Sequence, residues 1–282
     1  MRSQNLALSG NLIAMDKISH WDAENEIFNI ETPFALCQMA GYAKYKLSKD
    51  GPVLFRGQGS NYDQMRPTLF RNVDTSSGCT ARVKQSRDFI KSEECISSFL
   101  RGTPKEAFEP LLQHYGLATP WIDLVDNIWS GLWFATHSAS SIKEGRYTHY
   151  EKSKKEYCYI YMMQFGTKDK RITNGIHTTN KGMLLADLRV AAPSNYLRPH
   201  SQHGLLAMRG NLTEGTGPDY SDCVVLVMRI ATQNALNWLG DSLLTKGSFM
   251  FPPPMHDPGY QVFLDNPFTP PAVMGNISII SA

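Results

Sequence analysis

Val53-Leu-Phe-Arg-Gly-Gln-Gly59 marks the point where this chain turns from helix to sheet. Val53-Leu54-Phe55 is a short apolar run preceded by Asp50-Gly51-Pro52, and such a run predicts a buried strand. Arg56 then stands at the strand end. Gly57-Gln58-Gly59-Ser60-Asn61 reads as a loop whose glycines let backbone come close to a ligand. It is not a dinucleotide fingerprint, because both the G-x-G-x-x-G spacing and a following apolar helix are missing. A strand-end guanidinium offers a fixed fork of donors suited to phosphate or carboxylate. The competing reading makes Arg56 a structural partner of a core acid such as Asp123.

Upstream, Thr32-Pro33 opens a helix, with Thr as N-cap and Pro at the first helical position. Leu36, Ala40, Ala43 and Leu47 form its apolar stripe. Residues 1–30 are polar and weakly patterned and read as an N-terminal extension with one short strand. Downstream, an amphipathic helix is expected over about 81–101, with Cys95 and Phe99 on its buried side. Another runs from Pro104 to Tyr115 with Gly116 as its cap, and a third from Ile128 to Ala139 behind Asp126-Asn127. The stretch 143–156 is dense in charge and reads as a solvated loop, and 140–156 as a candidate mobile insertion. Tyr157–Phe165, Met183–Leu188, Gly204–Met208 and Cys223–Ile230 are strand candidates, Thr232–Leu239 a short helix and Asn276–Ile280 an edge strand. Helices mainly in the first half and a mixed or antiparallel sheet mainly in the second give an α+β fold, with residues 31–282 as a single domain.

Composition narrows the function. The net charge of +2 across 282 residues lacks the Lys/Arg excess that phosphate neutralisation leaves in a nucleic-acid binder. No run of about 18 apolar residues exists, so neither a membrane span nor a membrane partner is expected. Residues Met1 to Ser9 lack the apolar core of a signal peptide. The five cysteines show no C-x-x-C, which fits reduced thiols and a cytoplasmic location.

Two further clusters carry chemistry-bearing side chains. Gln113, His114, Tyr115, Trp121 and Asp123 fall close together around a helix end and a turn. His114 suits a general base, Asp123 an orienting or Arg56-holding carboxylate, and Tyr115 a stacking ring. The bland alternative is a satisfied helix cap followed by a capping acid. Arg198, His200, Gln202 and His203 form a polar run before a strand. His200 and His203 have H-x-x-H spacing, but Pro199 and Gly204 argue against the helix a metal site needs, so no metal is expected. No G-x-S-x-G nucleophile motif is present.

Val53-Leu-Phe-Arg-Gly-Gln58, Leu112-Gln-His-Tyr-Gly-Leu117 with Thr119 and Asp123, Ser130-Gly-Leu-Trp-Phe-Ala135, and Arg198 with Gln202-His-Gly204 together resemble the FRG domain family. The family is named for Phe-Arg-Gly, here Phe55-Arg56-Gly57. The resemblance covers about residues 30–255 and makes the 31–282 domain FRG-type. Ala118-Thr-Pro-Trp-Ile-Asp-Leu124 departs from the usual Pro-Thr-Arg-Leu-Leu-Asp-Trp, so the arginine of that turn is missing, and Leu206 replaces a Phe.

A second, fainter resemblance is to ADP-ribosyltransferases of the Arg-Ser-Glu type, through the strand-Arg-Gly beginning. It implies an ADP-ribosyltransferase-like sheet and NAD as cofactor or substrate. On that implication Arg56, Gly57, Gln58, Tyr115, Trp121 and Arg198 bind NAD, with Tyr115 or Trp121 against nicotinamide. His114, Asp123 and Gln202 are the catalytic set and position the acceptor, a protein or a nucleic acid, in a toxin or phage-defence setting. No Ser-Thr-Ser and no late Glu-x-Glu is present, and Glu214 is the only glutamate after Glu156. The alternative is a non-catalytic sensor for a nucleotide or other phosphorylated small molecule.

Overall fold

The computed structural model describes residues 19–22, 26–92, 96, 100–142, 147–210, 219–265 and 269–281. Strands β1 (Ser19–Asp22) and β2 (Ile27–Ile30) form an antiparallel pair. Helix α1 (Pro33–Leu47) follows, and the Thr32 hydroxyl accepts from the Ala35 amide at 3.1 Å, as the Thr-Pro start predicts. Strand β3 (Val53–Gln58) runs three residues beyond the apolar triplet. Arg56, Gly57 and Gln58 pair with Tyr161, Ile160 and Tyr159, so the expected loop at Gly57-Gln58 is strand.

Helix α2 (Ser76–Ser92) begins five residues before the expected start, because Thr75 accepts from the Gly78 amide and caps it early. Cys95 and Phe99 lie outside the described residues. Helix α3 (Phe108–His114) ends in a Schellman motif: the Gly116 amide donates to Gln113 and the Leu117 amide to Leu112, with Gly116 at φ 116°.

Strand β4 (Ile122–Val125) leads through the N-cap Asn127 into α4 (Ile128–Thr136). That helix stops at Thr136, three residues short of expectation, and the chain becomes a hairpin. Its strands are β5 (His137–Ile142) and β6 (Tyr147–Lys152). Within the charged stretch read as a solvated loop, Tyr147–Lys152 is therefore strand. Thr148 and Tyr150 turn partly inward while Tyr147, His149 and Glu151 face out, and the outward charges masked the alternation.

The rest is mostly strand: β7 (Tyr157–Gln164), β8 (Lys168–Thr173), β9 (Ile176–Thr179) and β10 (Met183–Asp187). Short helices α5 (Leu188–Ala191) and α6 (Arg198–Gln202) precede β11 (Gly204–Arg209) and β12 (Val224–Ala231). Strands β8 and β9 were not anticipated. Neither was α6, where Pro199 sits in the first turn, at which no amide partner is needed. Helices α7 (Thr232–Leu239), α8 (Gly247–Met250) and α9 (Pro258–Asp265) lead to strand β13 (Ile279–Ser281).

Ten strands form one mixed sheet in the order β1-β2-β12-β7-β3-β4-β11-β10-β9-β8; β13-β6-β5 form a second, small sheet. The α+β class holds, with β3 and β4 at the centre of the large sheet. One apolar cluster packs α1 and α4 against β3, β7 and β12. Another packs α2 and α3 against β10 and β11. Between them β3 and β4 register at a single pair, Phe55 with Val125, so the sheet splays there. No helix among the described residues is long and apolar enough to cross a membrane.

Candidate functional site

A cavity of about 950 Å³ opens where β3 and β4 part. Arg56, His114, Asp123 and Gln202 all line it, as do Gly57, Tyr115 and Arg198. Residues more than 140 positions apart therefore meet at one place.

Arg56 spans the splay. Its Nη1 donates to the Asp123 carbonyl at 2.7 Å, in the gap where a fuller β3–β4 ladder would have run. Its Nε is buried with no hydrogen-bond partner. Burial pulls the Arg56 pKa down, and the nearby Asp123 opposes this. The Asp123 carboxyl is held by Gln113, whose Nε2 donates to Oδ2 at 2.8 Å and also to the Trp121 carbonyl at 2.8 Å. Gln113 in turn accepts from the Thr119 amide and hydroxyl, which locks its amide orientation. Burial raises the Asp123 pKa against the lowering pull of Arg56. The site thus pairs a donor fork with a carboxyl whose ionised form is disfavoured by its surroundings.

His114 sits at the end of α3. Burial lowers its pKa to about 4, with the Arg198 charge adding to the effect. Its ring hydrogen-bonds the Arg198 backbone, and Nε2 is buried without a partner. A Cβ on Gly204 would come within 2.5 Å of the imidazole, so glycine at 204 makes room for His114. Gln202 donates from Nε2 to the Met250 carbonyl at 2.6 Å, tying α6 to α8.

Arg198 is 1% exposed. Its guanidinium lies 3.9 Å from the ring centre of Tyr260, 4.6 Å from that of Tyr115 and 5.6 Å from that of Phe251. The Tyr115 hydroxyl donates to Asp257 at 2.6 Å, and Asp257 also accepts from the Arg198 and Tyr260 amides. Tyr115 is accordingly a core ring already engaged with Arg198.

Two of the expected binding residues do not line the cavity. Trp121 is buried in the core, its Nε1 donating to Glu109 at 3.3 Å. Gln58 lies at the end of β3 with Oε1 buried and unpartnered. Gly57 lines the cavity, but the close approach it permits is to α4. A Cβ there would stand 1.8 Å from the Gly131 carbonyl oxygen. Glu214 lies outside the described residues. Among the described residues no cluster of three or more metal-ligating side chains is found, and His200 and His203 belong to none.

Sequence reasoning missed Arg71 at the rim and the stacked pair Tyr150–Phe251, whose ring centres are 4.4 Å apart. It also missed the wall formed by residues 269–280. The Phe-Arg-Gly strand, the Gln113-His114 helix end and the apolar helix α4 stand in this geometry as one block.

Residues 51–144 match the model of the FRG domain. This segment, a third of the chain, is similar to the FRG domain. The match is shorter than the span of the motif resemblance and ends before β6, so Arg198 and Gln202 lie outside it. The FRG segment supplies Arg56, His114 and Asp123, while the rest of the chain closes the cleft around them. No curated protein and no solved structure matches the chain.

Proposed function

We propose that the cleft binds a phosphorylated nucleotide through Arg56 and acts on NAD at its N-glycosidic bond, as a glycohydrolase or an ADP-ribosyltransferase. One observation carries this reading: the half-buried Arg56 fork, its Nε buried and unpartnered, shares a 950 Å³ cleft with the half-buried Asp123 carboxyl. The side chains present fit such a ligand. Arg56 and rim Arg71 suit a diphosphate, and the Tyr150 and Phe251 rings suit a base or nicotinamide.

When bound, NAD supplies a glycosidic bond from which nicotinamide leaves with the bonding electron pair. Water, or a nucleophile on a protein or nucleic-acid acceptor, takes its place and gives up one proton. Asp123 is the carboxyl placed to take that proton, and its raised pKa suits a base better than an ordinary surface aspartate. With no late Glu-x-Glu in the sequence, Asp123 or Gln202 has to take the part that the resembled enzymes give to its glutamate. Gln202 orients the acceptor, and His114, neutral at physiological pH, contributes a hydrogen-bonding group rather than a charge. NAD consumption in a cytoplasm would injure a host cell, which places the reading in a toxin or phage-defence setting.

The test is release of nicotinamide from NAD, followed by chromatography. Wild type is expected to release it, and Arg56→Ala and Asp123→Asn to slow release at least about 100-fold. No release, with no NAD binding by calorimetry, removes the reading. A specific observation favours a second one, a non-catalytic nucleotide sensor. Burial disfavours the charge on Asp123 that would stabilise a positive ribosyl centre. A sensor is selected if NAD or ATP raises the melting temperature of wild type but not of Arg56→Ala, with no product formed.

A further inference from the structure

We propose that the guanidinium edge of Arg198 is a second oxyanion subsite of the cleft, separate from Arg56, taking a phosphoryl or carboxylate group of the ligand. Arg198 lines the cavity yet is 1% exposed. Its Nε and Nη2 are both buried without a hydrogen-bond partner. These two donors form one edge of the guanidinium, with parallel N–H bonds, which is the pair that grips two oxygens of a phosphate or carboxylate at once.

The carboxylate that binds the Arg198 backbone amide is already committed. Asp257 Oδ2 accepts from the Tyr115 hydroxyl at 2.6 Å and from the Arg198 backbone amide at 3.3 Å, and Oδ1 accepts from the Tyr260 amide at 3.0 Å. Rings of Tyr260, Tyr115 and Phe251 surround the cation. Ring faces attract a cation but accept none of its in-plane N–H bonds, so the fork is held in place and left unsatisfied. A buried charged donor without an acceptor is costly, and an oxyanion at this edge removes that cost.

The two arginines act on different neighbours, meeting only at Tyr150, which lies near both Arg198 and Asp123. Arg56 acts with Asp123, Arg71 and Tyr161. Arg198 acts on His114, Tyr115 and Tyr150. A ligand filling the cleft therefore meets two cationic points, and a compound carrying two separated oxyanionic groups fits better than one carrying a single group. This inference does not rest on the NAD reading.

The experiment removes the first point to isolate the second. Inorganic phosphate, and acetate in a parallel arm, are titrated calorimetrically into full-length Arg56→Gln, Arg56→Gln/Arg198→Lys and Arg56→Gln/Arg198→Gln. Arg56→Gln is expected to keep binding phosphate, acetate or both, and the arm that binds identifies the oxyanion. Each double variant is expected to weaken that binding at least about 10-fold, Lys included, because it keeps the charge and loses the fork. No binding of either anion to Arg56→Gln, or equal binding in Arg56→Gln/Arg198→Lys, overturns the subsite. If the double variants do not fold, wild-type crystals soaked in tungstate decide it. An anomalous peak at the Arg198 edge supports the subsite, and its absence there overturns it. Phosphate held by Arg198 with no nicotinamide release removes the NAD reading alone; NAD turnover with no anion at Arg198 removes the subsite alone.

Discussion

The two cleft arginines are held in place differently, and each keeps a buried donor without an acceptor. Arg56 uses a backbone carbonyl on the neighbouring strand, whereas Arg198 uses three rings. Beside Arg198, His114 has a measurable consequence. Its pKa falls from the ordinary 6.5 to about 4 on folding, chiefly through burial. The unfolded chain therefore takes up the proton first as pH drops. The neutral imidazole's contribution is fully present above pH 6.5 and is lost as pH falls from there through 4. The shift corresponds to about 3 kcal/mol. Asp123, raised by burial, runs in the opposite sense, since protonation in acid relieves its cost. The informative quantity is thus a difference between proteins. Urea unfolding at pH 6.5 and pH 4 should show wild type losing about 3 kcal/mol more than His114→Gln. Parallel losses would clear His114 of the effect.

At the scale of elements, the Phe-Arg-Gly strand owes its last residue to packing. Gly57 of β3 and Gly131 of α4 face each other, but their tolerances differ. A Cβ on Gly57 would stand 1.8 Å from a backbone oxygen and 2.7 Å from the Ala135 amide nitrogen, neither of which can turn aside. A Cβ on Gly131 would meet nothing closer than the Phe55 Cβ at 3.4 Å, and alanine favours a helix by about 1 kcal/mol. Gly57→Ala should therefore cost about 3 kcal/mol or more, and Gly131→Ala about 1 kcal/mol or less, read as urea midpoints. Equal costs would mean that α4 shifts freely against the sheet. The same distinction between local and distant causes explains what could be read in advance. The start of α1 at Thr32-Pro33, the end of α3 at Gly116 and all of α7 were legible, since caps and periodicity are written within one turn or two. The strand core of β7 was legible from its apolar run. The β5–β6 hairpin was not, because neither strand buries a residue fully and only β6 alternates, among charges. Nor was the continuation of β3 past Arg56, which depends on register with Tyr161 and Tyr159. Within the site, Arg56, His114, Asp123 and Gln202 stood in recognisable motifs. Arg71, Tyr150 and Phe251 carry no local signal, and only long-range packing brings them to the cleft.

Across the whole molecule, the cleft is a joint between the FRG segment and chain that lies outside it. The segment brings Arg56, His114 and Asp123, and the far wall comes from Phe251 and residues 269–280. That wall needs an anchor, and Tyr260 provides one. Its hydroxyl donates to the Ser278 carbonyl at 2.6 Å and accepts from the Ile280 amide at 3.1 Å. A further link runs from Ser278 to Thr148 on the hairpin, at 2.7 Å between hydroxyls. The ring of Tyr260 has a separate task against Arg198. Tyr260→Phe separates the two, because it deletes the hydroxyl and keeps a ring face for the cation. It should cost about 1–2 kcal/mol, given two buried hydrogen bonds lost and a carbonyl and an amide left bare. Amide exchange at Ile280 should accelerate while the β3 amides that bond to β7 stay protected, since the β3–β7 ladder does not depend on the wall. If both segments accelerate together, the terminal wall and the central sheet open as one unit. Access to the buried arginines would then require global unfolding rather than movement of the wall.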